Sequence, residues 1–216
     1  ADMAPPDAPA GLKVDDPEVL ATLKALATDK AKAELEKVTK RLTDAKGAFD
    51  VTEKGKAVFA QLMAAATKLV EIAKQATEGK LDLVARLATE GFMSGLGAVL
   101  SVGDLAKELT TKAAGLTKSL NLKQAKEVAK QARALLAMPK LLEGLNTQYL
   151  TTLAVLMKSK VSDLRKVTFE ALSKLYPQAS EAVRKVVAGM LKGYAAVEKD
   201  DVLKKAMIDQ LGVLKI

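Results

Sequence analysis

The chain has 216 residues, of which 49% are hydrophobic, 28% charged and only 3% aromatic, and its formal net charge is +8. That is long and apolar enough to bury a real core, which excludes a disordered composition. With no Cys and no His, the sequence also excludes thiol nucleophiles, disulfides, Cys/His zinc sites and histidine acid–base chemistry.

Alanine takes much of the apolar share, and alanine favours helix where β-branched and aromatic residues favour strand. The positive charge raises the prospect of anionic partners. Lys predominates over Arg, however, and acids are interspersed with bases, as in Glu36/Lys40, Glu108/Lys112, Glu181/Lys185 and Asp201/Lys205, all at helical i,i+4 spacing. Solvated helix faces are the expectation. A nucleic-acid surface is not, because stacking aromatics and Arg clusters are missing.

Residues 1–16, opening "ADMAPPDAPAG", are rich in Pro, Ala and Asp and lack periodicity, so they read as a flexible N-terminal arm, and the start at Ala fits a mature terminus after leader removal or a cloning boundary. "DDPE" then signals a helix start: Asp16 is the cap, Pro17 suits the first helical position and Glu18 the positive end of the dipole. From there to residue 216 the chain reads as one helical bundle domain.

No proline follows Pro17 until Pro139, and apolar residues step by threes and fours throughout that span. Leu20, Leu23, Val38, Leu42, Ala45 and Phe49 lie on a first stripe that also takes in Ala27 and Ala31. Val58, Leu62, Ala65, Leu69, Ile72 and Ala76 form a second at nearly heptad spacing, and Leu83, Val84 and Leu87 extend it. Gly47, Gly55 and Gly79 interrupt these helices. Unbroken helix from Pro17 to Phe92 would be about 115 Å long; two helices parting near Gly47 to Gly55 are the alternative.

Residues 89–104, "TEGFMSGLGAVLSVGD", hold no charge between Glu90 and Asp104. The uncharged run is too short to span a bilayer, and no run in the chain approaches the ~20 apolar residues that a span needs. Gly95-x-Gly97 lacks the third glycine of a dinucleotide loop, and no Gly-Lys-Ser/Thr follows. The segment reads as a helix end, a turn containing Gly95 and Gly97, and a new helix capped by Asp104. A contact site at an exposed tip is the alternative.

Shorter helices are expected beyond Asp104. Their stripes are Leu105, Leu109, Ala113, Leu116 and Leu120; Leu122, Ala125, Ala129, Ala132 and Leu136; Val183, Val186, Met190, Tyr194 and Val197; and Leu203, Met207, Leu211 and Leu214. Pro139 and Pro177 punctuate the pattern, and Ser162-Asp163 and Asp200-Asp201 offer caps. Every stretch has helical period, so the fold class is all-α: an elongated helical bundle with long antiparallel helices and shorter C-terminal helices.

No residue stands out as catalytic, cofactor-binding or metal-ligating. The adjacent acids Asp15-Asp16 and Asp200-Asp201 diverge on a helix and read as caps. Met63, Met93, Met138, Met157, Met190 and Met207 read as core filler, and Tyr149, Tyr176 and Tyr194 as core residues with polar tips at the surface. Neither Asn121 nor Asn146 begins an Asn-x-Ser/Thr acceptor, although threonines on helix faces leave O-modification open.

"EVLATLKALATDKAKAELEKVTKRL" and "KAVFAQLMAAATKLVEIAKQATEGK" as long helices, without Cys or an N-glycosylation acceptor, are similar to the glutamic acid/alanine-rich surface protein of insect-stage trypanosomes, whose helical bundle is related to variant surface glycoproteins. The likeness covers roughly residues 17–216. This chain departs from it in being basic and in ending "IDQLGVLKI", without the apolar tail that signals a lipid anchor. The resemblance implies a non-enzymatic, lipid-anchored coat glycoprotein on the extracellular face of the cell membrane. It implies contacts with neighbouring coat molecules or with itself, no cofactor, and a membrane link through an anchor outside this sequence. A rival likeness lies in "SDLRKVTFEALSKLYPQASEAVRKVVAGMLKGY", which resembles helical-repeat sequence and would imply a scaffold or a carrier of an apolar ligand.

Overall fold

The structure is a computed structural model, and it describes residues 16–25 and 29–216. The expected arm therefore lies outside the described residues except for Asp16, which belongs to the fold. Its carboxylate accepts a hydrogen bond from the Val19 backbone N–H at 3.2 Å, which is the cap that "DDPE" announces.

The described chain forms nine α-helices and one short 3₁₀ turn. In chain order they are α1 (Pro17–Ala25), α2 (Asp29–Asp44), α3 (Lys46–Phe49), α4 (Glu53–Thr77), α5 (Leu81–Lys118), α6 (Leu122–Met157), α7 (Ser162–Leu175), the 3₁₀ turn Tyr176–Gln178, α8 (Glu181–Val197) and α9 (Asp201–Leu214). All-α is the observed class.

Of the two alternatives for this span, the break between Gly47 and Gly55 is the one observed, and helix is not continuous from Pro17 to Phe92. Helix stops after Phe49 and restarts where the Thr52 hydroxyl accepts the Gly55 N–H at 3.0 Å. A second break follows at Gly79, whose φ of +75° ends α4: the Gly79 N–H reaches Ala76 O and the Lys80 N–H reaches Gln75 O, closing a Schellman turn.

The glycine-rich segment is a correction. No turn forms at Gly95 or Gly97 and no helix starts at Asp104; α5 runs unbroken through all of them for 38 residues, about 57 Å. Propensity alone predicts a break at these glycines, whereas Gly91, Gly95 and Gly97 sit where neighbouring helices come close. A methyl group on Gly91 would overlap the ring of Tyr149 from α6, and one on Gly95 would lie 3.5 Å from the Ala65 methyl of α4. Burial on two sides outweighs the ~1 kcal/mol that each glycine loses in helix propensity. By length and composition α5 is apolar enough to cross a membrane, contrary to the count of uninterrupted apolar residues, but 61% of its most apolar window is buried against this protein. It serves as the central core helix.

Pro139 is the second correction: it lies inside α6, which continues for 36 residues, about 54 Å. Its ring is on the solvent side, while Leu135, Met138 and Leu142 beside it are buried. The long packed seam with α5 absorbs the ~3 kcal/mol that an interior proline costs. The buried face of α6 keeps a seven-residue repeat through Val128, Leu135, Leu142, Tyr149 and Leu156, which is how two long antiparallel helices stay in register.

A single apolar cluster runs from Val19 to Met207. α4 and α6 lie antiparallel on α5; α1 and α2 lie across α4 and α6; α7 packs on α5, with α8 and α9 against it. Two stripes are rotated from their expected faces. On α8 the buried side is Val183, Val187, Leu191 and Ala195, leaving Val186 and Val197 exposed. On α6 it is Ala125, Val128 and Ala132, leaving Leu122 and Leu136 exposed. Both helices have apolar residues on adjoining faces, so periodicity alone admits two solutions. The stripes on α4 and α9 face inward as expected. Ser162 does not cap α7, whose N-cap is Val161 with no side-chain bond, whereas Asp200 caps α9 through the Leu203 N–H at 2.9 Å.

Candidate functional site

Three places gather polar or reactive groups, and two of them are occupied in holding the fold together. The first is the Tyr149 hydroxyl. It is fully buried, not at the surface as expected, and it donates to the Ala65 backbone carbonyl of α4 while its ring fills the space over Gly91. Burial pushes its pKa well above the usual tyrosine value, so it remains a neutral donor. Small Gly91 and Ala65 let a tyrosine from the third helix pin the other two.

The second place is a polar chain where α1, the α6–α7 loop, α7 and the α8–α9 loop meet. Asp16 Oδ2 accepts from Ser159 Oγ at 2.8 Å and from the Lys160 N–H at 2.9 Å. The Arg165 guanidinium donates to the Ser159 carbonyl at 2.6 Å and forks onto Glu198 through Nε (2.9 Å) and Nη2 (2.8 Å). Glu198 Oε1 also accepts the Lys199 and Asp200 N–H groups at 3.1 Å. Burial pushes the Asp16 carboxyl up, but the bonds from Ser159, Lys160, Val19 and Glu18 outweigh it and hold the group below its ordinary value. The Arg165 bond, against some burial, holds Glu198 low as well. A serine bonded to a carboxylate suggests nucleophile chemistry, yet Asp16 and Ser159 are each only 3% exposed and a depressed carboxylate is a poor base. The network staples α1 to α7, α8 and α9. Among the described residues, no three acidic side chains come close enough together to hold a metal ion.

The third place is built differently. α4 begins beside Glu108 of α5, where Lys54 Nζ lies 4.0 Å from the Glu108 carboxylate. Beyond that level, among the described residues, burial is confined to the α5–α6 seam: Leu109 and Ala113 of α5 and Ala125, Val128 and Ala132 of α6 are buried there, and the other faces are exposed or half-buried. The pair turns through Ser119, Leu120 and Asn121, again in a Schellman turn: the Leu120 N–H reaches Thr117 O at 3.1 Å and the Asn121 N–H reaches Leu116 O at 2.9 Å. Here the left-handed position that Gly79 fills in the other turn is held by a leucine, with φ +62° and 82% exposed. A left-handed conformation costs a side-chain-bearing residue about 1–2 kcal/mol.

The same projection collects the charge. From Leu109 to Ala132, the stretch that projects, the sequence has five bases (Lys112, Lys118, Lys123, Lys126 and Lys130) and one acid, Glu127, a net +4 out of the chain's +8. All five are exposed, and among the described residues none has a carboxylate within 4.0 Å. Acids are thus not interspersed everywhere, and counting charge by segment rather than over the whole chain exposes the patch in the sequence itself. The four i,i+4 pairs named from spacing do not close to 4.0 Å either; Lys54–Glu108 and Lys68–Glu90 link α4 to α5 instead.

No protein-family model, curated protein or solved structure matches this chain significantly.

Proposed function

We propose that the chain is a non-enzymatic structural protein of the cell surface, a helical rod that acts sterically and is held at the membrane by a lipid anchor, as the resemblance to the trypanosome coat protein implies. One observation carries the reading: two antiparallel helices of 38 and 36 residues, each about 55 Å long, end in a hairpin that stands clear of the other helices. Such a shape suits a molecule whose work is to occupy height above a surface. The commitment of the buried polar groups of the second network to structural hydrogen bonds supports it further, since none is left poised toward a substrate.

Labelling of intact cells tests the reading. A membrane-impermeant amine reagent should modify Lys118 and Lys123 at the hairpin end on living cells that express the natural precursor. Labelling that appears only after permeabilisation would contradict a surface location.

A further inference from the structure

The hairpin end has a chemistry that a steric role does not call for, and we infer that it is a docking tip for bilayers bearing anionic headgroups. The inference is independent of the coat reading, because it concerns the tip alone and is read on purified protein.

Two unrelated observations converge on residues 112–126. The first is apolar. Leu120 and Leu122 stand at the apex, 82% and 54% exposed, and Leu120 holds a left-handed backbone that glycine fills in the equivalent turn after α4. The backbone of Leu120 closes the turn, but its solvated side chain buries almost nothing in the fold. Its side chain does gain from leaving water for an acyl boundary.

The second is cationic. Lys112, Lys118, Lys123 and Lys126 are exposed, and all lie within about 12 Å of the apex along the helix axis. A leucine apex inside a lysine collar matches the layering of a membrane interface, with acyl chains below and phosphates above. Charge complementarity alone would also admit a nucleic acid. That occupant offers no apolar layer for Leu120 and Leu122, and it favours Arg forks and stacking aromatics, whereas the tip has neither.

Sedimentation with vesicles tests this. The protein should pellet with phosphatidylcholine–phosphatidylserine vesicles and not with phosphatidylcholine alone, and added salt should release it. Each lysine near an anionic surface contributes about five-fold, so Lys118→Gln, Lys123→Gln and Lys126→Gln together should lower partitioning about a hundred-fold. The same loss of charge on α8 and α9, by Lys185→Gln, Lys192→Gln and Lys205→Gln, should leave it nearly unchanged.

Leu120→Gly should weaken partitioning about ten-fold while raising thermal stability, so misfolding cannot account for the loss. Equal binding to both vesicle types, equal losses from the tip and control triplets, or full binding by Leu120→Gly would each overturn the proposal. So would retention by duplex DNA at salt concentrations that release the vesicles, which would reassign the tip to a polyanion.

Discussion

Gly91 and Tyr149 show how one side chain's absence determines another's place. The tyrosine reaches Ala65 across α5 only because position 91 has no Cβ. Gly91→Ala should therefore lower the free energy of unfolding by about 2 kcal/mol, as overpacking does, despite the better helix propensity of alanine. Gly115→Ala, on the same helix with open space around it, should raise stability by up to about 1 kcal/mol. Urea titration of the two variants separates packing from propensity. The two Schellman turns give a matched pair at the same scale: Leu120→Gly should stabilise by about 1 kcal/mol, and Gly79→Leu should destabilise by at least as much, both measurable as shifts in Tm.

Elements were legible in the sequence to the extent that local rules decide them. Asp16, Thr52 and Asp200 cap helices through their own side chains, and the Asp16 and Asp200 caps can be read from four residues of sequence. α4 shows its buried face because Val58, Leu62, Ala65, Ile72 and Ala76 recur at helical spacing. α8 does not, because Val186, Met190 and Val197 compete with Val187, Leu191 and Ala195, and only the positions of α5, α7 and α9 decide between them. The largest error, a turn at Gly95 and Gly97, has the same origin: a glycine that breaks a solvated helix is tolerated in a buried one, and burial is a property of the other helices. The Asp16–Ser159 and Arg165–Glu198 contacts were illegible for a related reason, since their partners are 143 and 33 residues apart. They make a testable contribution between elements. Both acids titrate below their ordinary values in the fold, so the unfolded chain binds their protons first as pH falls through the carboxylate range. The stability they supply is fully present above their unfolded values and is lost as pH drops through the folded ones. Urea midpoints should fall between about pH 5 and about pH 3, and the fall should flatten in a variant carrying Asp16→Asn and Glu198→Gln.

For the molecule as a whole, one helix organises everything. α5 receives α4, α6, α7 and α8 along its length, and its apolar glycine-rich middle is the place where those neighbours converge. Its last turns leave the bundle and, with the start of α6, carry half of the net charge to a leucine apex. Both the rod and the tip depend on α5 being continuous, and the absence of cysteine makes that directly measurable, since introduced thiols will be the only ones. Spin labels at Lys80→Cys and Lys118→Cys bracket α5 from its N-cap to its last residue. Pulsed dipolar spectroscopy should return a single narrow distance near 57 Å, the length of an unbroken helix across those positions. A distribution centred below about 35 Å, as two helices folded back at Gly95 and Gly97 would produce, would contradict the account.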